Sequence, residues 1–262
     1  MRLDVYLFEN GYVQSRQRAK NLIEAGSVLV DGAVVTKPSF SVESGSAPTV
    51  VIQDKLPYVG RGGLKLEAAL DAFGVDPAGM TAIDVGASTG GFTDCLLQRG
   101  ATRVYAIDAG ENQLAKKLRE DPRVVSIEHL NARTLSPAHV DHASVDLVVM
   151  DVSFISATYI LPQIPSLLNG RGAMICLIKP QFEVGRSMLG KGGIVKDREA
   201  HETAILRVMD CALSVGLSPF GLISSPIKGG DGNREFLMYL CVDNAKGIPL
   251  TRQDVRAFMK KI

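Results

Sequence analysis

Short apolar runs separated by polar turns make up most of the chain after residue 65. Seven of these runs are rich in Val, Ile and Leu and have the length of strands, with helical patterns between most of them. The predicted strands are Thr81–Gly86, Arg103–Asp108, Val124–Glu128, Asp146–Asp151, Ala173–Lys179, Pro219–Ile223 and Glu235–Val242. The predicted helices include Phe92–Arg99, Gln113–Glu120 and Arg198–Val215. Because apolar strands alternate with helices, we predict an α/β fold with a mostly parallel sheet covered on both faces.

The last two predicted strands break this alternation. The polar loop "SSPIKGGDGNR" joins them and contains no helical pattern. A parallel crossover needs a longer, usually helical connection. The seventh strand is therefore predicted to be antiparallel.

The first 60 residues follow a different pattern, with two short helices and then a hairpin. Leu3, Tyr6 and Leu7 share one helical face, and Asp31-Gly32 is a preferred dipeptide for a type I′ turn. The stretch "PYVGRGGL" at 57–64 supplies Pro and three glycines, which predicts a linker. We therefore predict two domains, a small α+β domain at 1–60 and an α/β domain at 61–262.

Composition narrows the class of protein. Hydrophobic residues make up 46% and charged residues 22%, which is typical of globular proteins. The net charge is only +1, so any anionic partner must bind to a local basic patch. The four cysteines lack the spacing of a metal site, so we expect reduced thiols and no metal. No signal-peptide pattern and no apolar run of about 20 residues is present, which predicts a cytoplasmic protein that does not enter a membrane.

The second predicted helix is basic, with Arg16, Arg18 and Lys20 close together. Charge alone also fits a solvated face, because residues 1–60 are neutral overall. However, "SRQRAKNLIEAGSVLVDG" resembles the S4-type RNA-binding module, which implies contacts with RNA phosphates. The candidate RNA-binding residues, including basic residues outside this helix, are Arg2, Arg16, Arg18, Lys20, Arg61, Arg186 and Lys191.

The stretch "TAIDVGASTGGFTD" at 81–94 reads as a strand that ends in a glycine-rich turn and opens a helix. Its spacing, Gly86-x-x-x-Gly90-Gly91, differs from the GxGxxG of dinucleotide sites, and Asp108 at the end of the next strand suits ribose hydroxyls. The turn resembles motif I of class I methyltransferases, a Rossmann-like fold, which implies S-adenosylmethionine as the cofactor. The implied cofactor-binding residues are Asp84, Gly86, Ser88, Thr89, Gly90, Gly91, Phe92, Asp108, Asn131 and Asp151.

Three charged residues lie at the ends of apolar strands. Asp151 and Lys179 follow two of them, and Glu235 begins the predicted antiparallel strand. Each has an ordinary structural explanation, such as capping or solvation, but together they should meet at the cofactor edge of the sheet.

This arrangement resembles the Lys-Asp-Lys-Glu tetrad of FtsJ-like ribose 2′-O-methyltransferases, and the resemblance adds Lys65. It implies Lys179 as the base, Asp151 as its closest partner, and Lys65 and Glu235 in support. Motifs such as "MDVSFIS", "KPQFEVGR" and "GGDGNREFL" extend the resemblance to the TlyA-like family, whose members methylate cytidine in rRNA, in 23S alone or in 16S and 23S. The alternatives are a small-molecule methyltransferase, a catalytically silent ribosome-assembly factor and a membrane-active haemolysin.

Two further segments carry predictions. The glycine-rich basic stretch 183–197 fits a lid over RNA or a disordered surface loop. "TRQD" at 251–254 predicts a capping box that opens a last helix.

Overall fold

The computed structural model describes residues 1–24, 26–43, 47–52, 57–168, 170, 172–242 and 247–262. The chain forms two compact units, Met1–Pro57 and Tyr58–Ile262.

The predicted linker at 57–64 is wrong in its second half, because a helix (α3) already begins at Gly62. Tyr58 is 5% exposed and belongs to the core of the larger unit, and its hydroxyl donates to Glu67 at 2.9 Å. A Cβ atom on Gly63 would overlap the Tyr58 ring. The glycines here therefore permit close packing of chain segments, which composition alone does not distinguish from a linker.

In the smaller unit, two helices pack with a three-stranded sheet around one apolar cluster. Its elements are α1 (Leu3–Glu9), α2 (Arg16–Glu24), β1 (Val28–Val30), β2 (Ala33–Val35) and β3 (Val50–Ile52). The predicted hairpin is confirmed, since β1 and β2 pair antiparallel and both turn residues have positive φ, 48° at Asp31 and 82° at Gly32. β3 was not predicted, and it pairs antiparallel with the other edge of β1.

The larger unit has seven strands and seven helices within its described residues. The strands are β4 (Thr81–Val85), β5 (Arg103–Ile107), β6 (Val124–Ile127), β7 (Leu147–Met150), β8 (Ala173–Ile178), β9 (Ser218–Ser224) and β10 (Phe236–Cys241). The helices are α3 (Gly62–Phe73), α4 (Gly91–Gln98), α5 (Lys116–Arg119), α6 (Ile164–Leu167), α7 (Pro180–Glu183), α8 (Arg198–Ser214) and α9 (Arg252–Lys261). Single 3₁₀ turns lie at Ala132–Thr134, Pro137–Val140, Ala157–Tyr159, Leu161–Gln163, Arg186–Met188 and Lys191–Gly193.

The strand order in the larger sheet is β6-β5-β4-β7-β8-β10-β9. β4 pairs parallel with β5 and β7, and the parallel pairing extends to β6 and β8. β10 runs antiparallel to both of its neighbours, β8 and β9. The predicted α/β fold with an antiparallel last strand is therefore confirmed. The strand order reverses between β4 and β7, which is where ligands bind in such sheets.

Side chains alternate between the two faces of the sheet, and each face carries an apolar layer. One layer packs against α8 and α9 through residues such as Ile205, Val208 and Met259. The other packs against α3 and α4 through residues such as Leu66 and Leu96. The result is a sheet between two helical layers, as predicted. Among the described residues, no helix has both the length and the apolar character needed to cross a membrane.

Most of the predicted strands reach one residue too far at a polar end. Asp108, Asp151 and Lys179 come directly after β5, β7 and β8, and Glu235 comes directly before β10. The strands end here because these charged side chains do not belong to the apolar layers that cover the sheet. Since β10 is antiparallel, all four residues lie at the same edge of the sheet.

The capping box predicted at the last helix is also confirmed. The Thr251 side chain accepts from the Asp254 backbone N–H, and the Asp254 side chain accepts from the Thr251 backbone N–H.

Candidate active site

The turn between β4 and α4 brings the backbone close to the end of β7. Gly86 has φ of 85°, and a Cβ atom at this position would lie 2.5 Å from the main-chain oxygen of Asp151. Gly90 has φ of 95°, and a Cβ atom there would overlap Leu118. Both positions therefore require glycine, for conformation and for space.

A cavity of about 610 Å³ opens at this turn. Five of the residues predicted to bind the cofactor line it, namely Gly86, Ser88, Asp108, Asn131 and Asp151. The Asp108 carboxylate accepts from the backbone N–H groups of Ser88 and Gly110, both at 2.7 Å. These bonds hold the carboxylate at the cavity wall and fix the two turns that flank it.

Five other predicted cofactor residues do not line the cavity. They lie near the end of β4, in the turn itself or in the first turn of α4, and they are Asp84, Thr89, Gly90, Gly91 and Phe92. Phe92 is 3% exposed and packs in the core, while the Thr89 carbonyl accepts from the Ala115 N–H at 3.2 Å. The contacts of these residues shape the turn that borders the cavity.

Asp84 is fully buried under the turn. Its Oδ2 accepts from the Thr93 hydroxyl at 2.7 Å, whereas its Oδ1 has no hydrogen-bond partner among the described residues. Burial raises the pKa of Asp84 to about 7. The unpartnered oxygen is the kind of buried polar atom that a bound ligand or water satisfies.

Several cavity residues were not predicted. Gln113, His129 and Phe154 lie in the loops that follow β5, β6 and β7. The rule that ligands bind at the carboxyl ends of parallel strands points to these loops but does not select residues within them. His129 and Phe154 have positive φ, 57° and 65°, which no local pattern in the sequence indicates.

The four residues of the predicted tetrad meet beside this cavity. Lys65 Nζ donates to Glu235 Oε2 at 2.6 Å and lies 3.8 Å from Asp151 Oδ2. Lys179 Nζ lies 2.5 Å from Asp151 Oδ1 and donates to the Ser153 hydroxyl at 2.8 Å. The Asp151 carboxylate therefore joins the two lysines, and its presence in the cavity wall connects the group to the cavity.

Three members of the tetrad are buried, with Lys65, Lys179 and Glu235 7%, 8% and 2% exposed, and the Asp151 side chain at the cavity wall is 19% exposed. Buried charges are tolerated when they are paired and hydrogen-bonded, and here two ammonium groups balance two carboxylates. Lys65 comes from α3, whereas the other three come from strand ends. Gly229 leaves space for the carboxylate of Glu235, since a Cβ atom there would overlap it.

Two of the four candidate RNA-binding residues of the smaller unit, Arg2 and Arg16, lie beside a buried carboxylate. Asp4 is fully buried and accepts from Arg2 Nε at 2.8 Å, and Arg16 Nη2 lies 3.5 Å away. The Arg2 guanidinium is the main cause of the lowered pKa of Asp4. Arg2 and Arg16 remain about half exposed, and Arg18 and Lys20 are partly exposed.

The other candidate RNA-binding residues lie in the larger unit. Arg61 directly precedes α3, and Arg186 and Lys191 are exposed in 3₁₀ turns. The segment 183–197 that holds the last two is anchored at both ends. Glu183 is buried at the end of α7, where it accepts from the Ala157 N–H at 2.7 Å, and the Val195 N–H donates to the Asn233 side chain at 2.9 Å. In the described part of the chain, no group of His, Cys, Asp and Glu has the arrangement of a metal site.

Comparison with known proteins assigns each part of the chain to a domain family. The family model for FtsJ-like methyltransferases matches residues 58–241, and the S4 domain model matches residues 1–47.

Two curated relatives cover most of the chain. The 16S/23S rRNA (cytidine-2′-O)-methyltransferase TlyA of Mycobacterium tuberculosis is 44% identical over 91% of this chain and 89% of its own length. Hemolysin A of Brachyspira hyodysenteriae is 42% identical over 92% of this chain and 100% of its own length. A solved structure from Streptococcus thermophilus, which carries a hemolysin name, has a TM-score of 0.78 and 41% identity and covers 100% of this chain and 96% of that chain. The chain therefore belongs to the TlyA-like family, in which an S4 domain precedes an FtsJ-like methyltransferase domain.

Proposed function

We propose that this protein transfers a methyl group from S-adenosylmethionine to the 2′-hydroxyl of cytidine in ribosomal RNA. The substrate is 23S rRNA, with 16S rRNA as a second candidate, and the reaction takes place in the cytoplasm, where ribosomal subunits are found. The observation that carries the proposal is the buried chain of contacts from Glu235 through Lys65 and Asp151 to Lys179, at the wall of the cavity.

The cavity fits S-adenosylmethionine. It lies at the switch point of the sheet, Asp108 presents a carboxylate suited to ribose hydroxyls, and Asp84 carries an unpartnered buried oxygen among the described residues. We assign Gly86, Ser88, Asp108, Asn131 and Asp151 to cofactor contact, and Asp84, Thr89, Gly90, Gly91 and Phe92 to support of the turn. When bound, the cofactor supplies a methyl group already activated on a sulfonium sulfur.

The remaining chemical task for the protein is to position the ribose and remove its 2′-hydroxyl proton. We assign Lys179, in its neutral amine form, as the residue that takes this proton, because Asp151 and Ser153 fix its Nζ atom beside the cavity. Glu235 holds Lys65, and Lys65 in turn pairs with the second oxygen of Asp151. Glu235 and Lys65 therefore orient the Asp151 carboxylate, and this carboxylate orients the Lys179 amine.

The homologous TlyA of M. tuberculosis supports cytidine in rRNA as the acceptor, and the S4 domain supports RNA as the partner. A small-molecule methyltransferase would have no need of the S4 domain. A silent assembly factor would have no need of a complete tetrad beside a cavity at the switch point of the sheet.

The proposal is tested by tritium transfer from labelled S-adenosylmethionine to purified 30S and 50S subunits and to free rRNA. We expect label on a cytidine ribose, and Lys179→Ala should lower the rate by about 10²- to 10⁴-fold, the usual contribution of a general base. Lys116→Ala is the matched control, since Lys116 is 79% exposed and pairs only with Glu120 in the described structure.

Three results would contradict the assignment. Near-wild-type turnover by Lys179→Ala would remove this lysine from the mechanism. Label on a base would exclude ribose chemistry. Cofactor binding without label on any rRNA, or lysis of lipid vesicles in the absence of cofactor, would favour one of the other functions.

A further inference from the structure

A second depression, of about 490 Å³, shares no lining residue with the cofactor cavity. Three segments form it, the stretch that leads into α8, the loop before β10 and the end of α9. Four basic side chains line it, namely Lys196, Arg198, Lys228 and Arg234, and all four residues are exposed. Within the described structure none of the four pairs with a carboxylate side chain, and Arg234 donates to the main-chain oxygen of Ile262 at 3.2 Å.

The depression is held in shape by a buried asparagine. Asn233 is 1% exposed, and its Oδ1 accepts from the Val195 N–H at 2.9 Å while its Nδ2 donates to the Gly193 carbonyl at 3.2 Å. The Asn233 carbonyl accepts from the Gly229 N–H at 2.9 Å. The Asn233 side chain thus joins the two segments that carry the basic residues. Hydrogen bonds therefore fix the position of these segments relative to each other.

The inner side of the depression holds an unsatisfied polar atom. His201 is 6% exposed, its ring packs edge-on against Phe236, and its Nε2 has no hydrogen-bond partner among the described residues. Apart from this buried ring, the described lining has no aromatic group on which a base would stack.

Charge in the depression is predominantly positive. Asp197 and Asp231 lie in the same segments, but the Asp197 side chain accepts from the Glu199 N–H and so caps α8. Four cations therefore lie near two carboxylates. The N-terminus of α8 also attracts anions, whereas the C-terminus of α9 opposes this attraction and its last oxygen already accepts from Arg234. These properties favour a phosphate group as the ligand.

We propose that this depression binds a backbone phosphate of the RNA substrate close to the nucleotide that is methylated. The proposal rests on the proposed function and identifies where the larger unit holds the RNA. Arg234 is adjacent in sequence to Glu235 of the tetrad, so a phosphate bound here lies at the same edge of the sheet as the reacting ribose. Contacts of this kind position a nucleic acid and carry no sequence information.

The test compares a double variant, Arg198→Ala with Lys228→Ala, with a control, Arg103→Ala with Arg123→Ala. Both variants remove two positive charges, but Arg103 and Arg123 lie at the amino ends of β5 and β6, at the opposite edge of the sheet. The full-length proteins are titrated against deproteinised 23S and 16S rRNA over a range of KCl concentrations.

We expect the double variant to bind rRNA about tenfold more weakly near 0.1 M salt. The slope of log affinity against log salt should fall by about 0.7 to 0.9 for each RNA phosphate that the variant no longer neutralises. Cofactor affinity and turnover at saturating RNA should stay at the wild-type level, and the control should match the wild type. An unchanged salt slope in the double variant would overturn the proposal.

Binding of inorganic phosphate distinguishes an RNA phosphate from a free one. If the wild type binds inorganic phosphate, the double variant loses that binding and the rRNA salt slope is unchanged, then the site serves a small anion and the proposal is wrong. Failure of the proposed function has a different signature. In that case the wild type methylates no rRNA, while the difference in salt slope still decides whether the depression holds a phosphate.

Discussion

The buried carboxyl group of Asp84, beneath the β4–α4 turn, makes the stability of the fold depend on pH. Burial raises its pKa to about 7, whereas a carboxyl group in an unfolded chain titrates near 4. Between these two values the folded protein binds the proton more tightly than the unfolded chain does. The free energy of unfolding therefore falls as pH rises from about 4 to about 7, and the loss persists above pH 7.

Replacing Asp84 with Asn should therefore stabilise the protein at alkaline pH when no cofactor is present. We expect the free energy of unfolding at pH 8 to rise by up to about 4 kcal/mol, from a pKa shift of about three units, with no gain at pH 4. Thermal melts of Asp84→Asn and the wild type at both pH values measure this.

Asp71→Asn is a control in which the expected pH dependence of stability has the opposite direction, because the pKa of Asp71 is lowered in the folded protein. A hydrogen bond from Arg99 is the main cause of the lowered pKa of Asp71, so its contribution to stability is present at pH 8 and lost in acid. This variant should lose some stability at pH 8. A melting difference for Asp84→Asn that did not depend on pH would contradict the buried-charge explanation.

At the scale of residues, the sequence predicts some site positions better than others. Asp151, Lys179 and Glu235 follow from apolar strands that end at charged residues and from the antiparallel last strand. Lys65 lies within a helix, where spacing gives no information about distant strand ends, so only family resemblance indicated it. Ser153 was missed because a serine just after a strand has many ordinary roles.

At the scale of elements, the β4–α4 turn depends on close approach of the backbone to β7. Gly86 and Gly79 both have positive φ, 85° and 77°, but only Gly86 has a neighbour that a Cβ atom would strike. Gly79→Ala therefore isolates backbone strain, and Gly86→Ala adds a clash with the main chain of Asp151.

We expect Gly79→Ala to lower the free energy of unfolding by about 1 to 2 kcal/mol and to leave cofactor affinity unchanged. Gly86→Ala should be more destabilising and should weaken cofactor binding by at least about tenfold, because the clash displaces the end of β7. Denaturant unfolding and calorimetric titration with S-adenosylmethionine measure the two effects. Equal effects of the two substitutions would show that contact with Asp151 is unimportant.

The elements that the sequence did not predict well are those determined by contacts between distant parts of the chain. β3 is three residues long and is a strand because it pairs with β1. The helix predicted at Gln113–Glu120 is observed only at Lys116–Arg119. It starts late because the backbone at Ala115 is not helical, with ψ of 140°, and its N–H donates to the Thr89 carbonyl in the glycine-rich turn.

At the scale of the whole molecule, the fold class follows from the alternation of strands and helices. The junction between the units was harder to predict, because glycines in a linker and glycines in close packing look alike in sequence. Because the S4 domain and the methyltransferase domain are separate compact units, we expect that substitutions can change RNA affinity without changing the rate of methyl transfer.

A double variant of the smaller unit, Arg16→Ala with Lys20→Ala, tests this independence in the full-length chain. We expect KM for rRNA to rise about tenfold, because the variant removes two charges from one helical face, while kcat and cofactor affinity stay constant. Steady-state methylation at several RNA concentrations measures both constants. Unchanged KM would favour a substrate that does not need the S4 domain.

The contact between Lys65 and Glu235 joins residues 170 positions apart in the chain. A growing polypeptide exposes the lysine early in synthesis, but its carboxylate partner emerges only when the last strand is being made. A chain that has not yet reached residue 235 therefore lacks the carboxylate that holds Lys65, even if the β4–α4 turn has already folded. The contacts that join the four residues of the tetrad are therefore complete only after residue 235 has been synthesised and β10 has paired with β8.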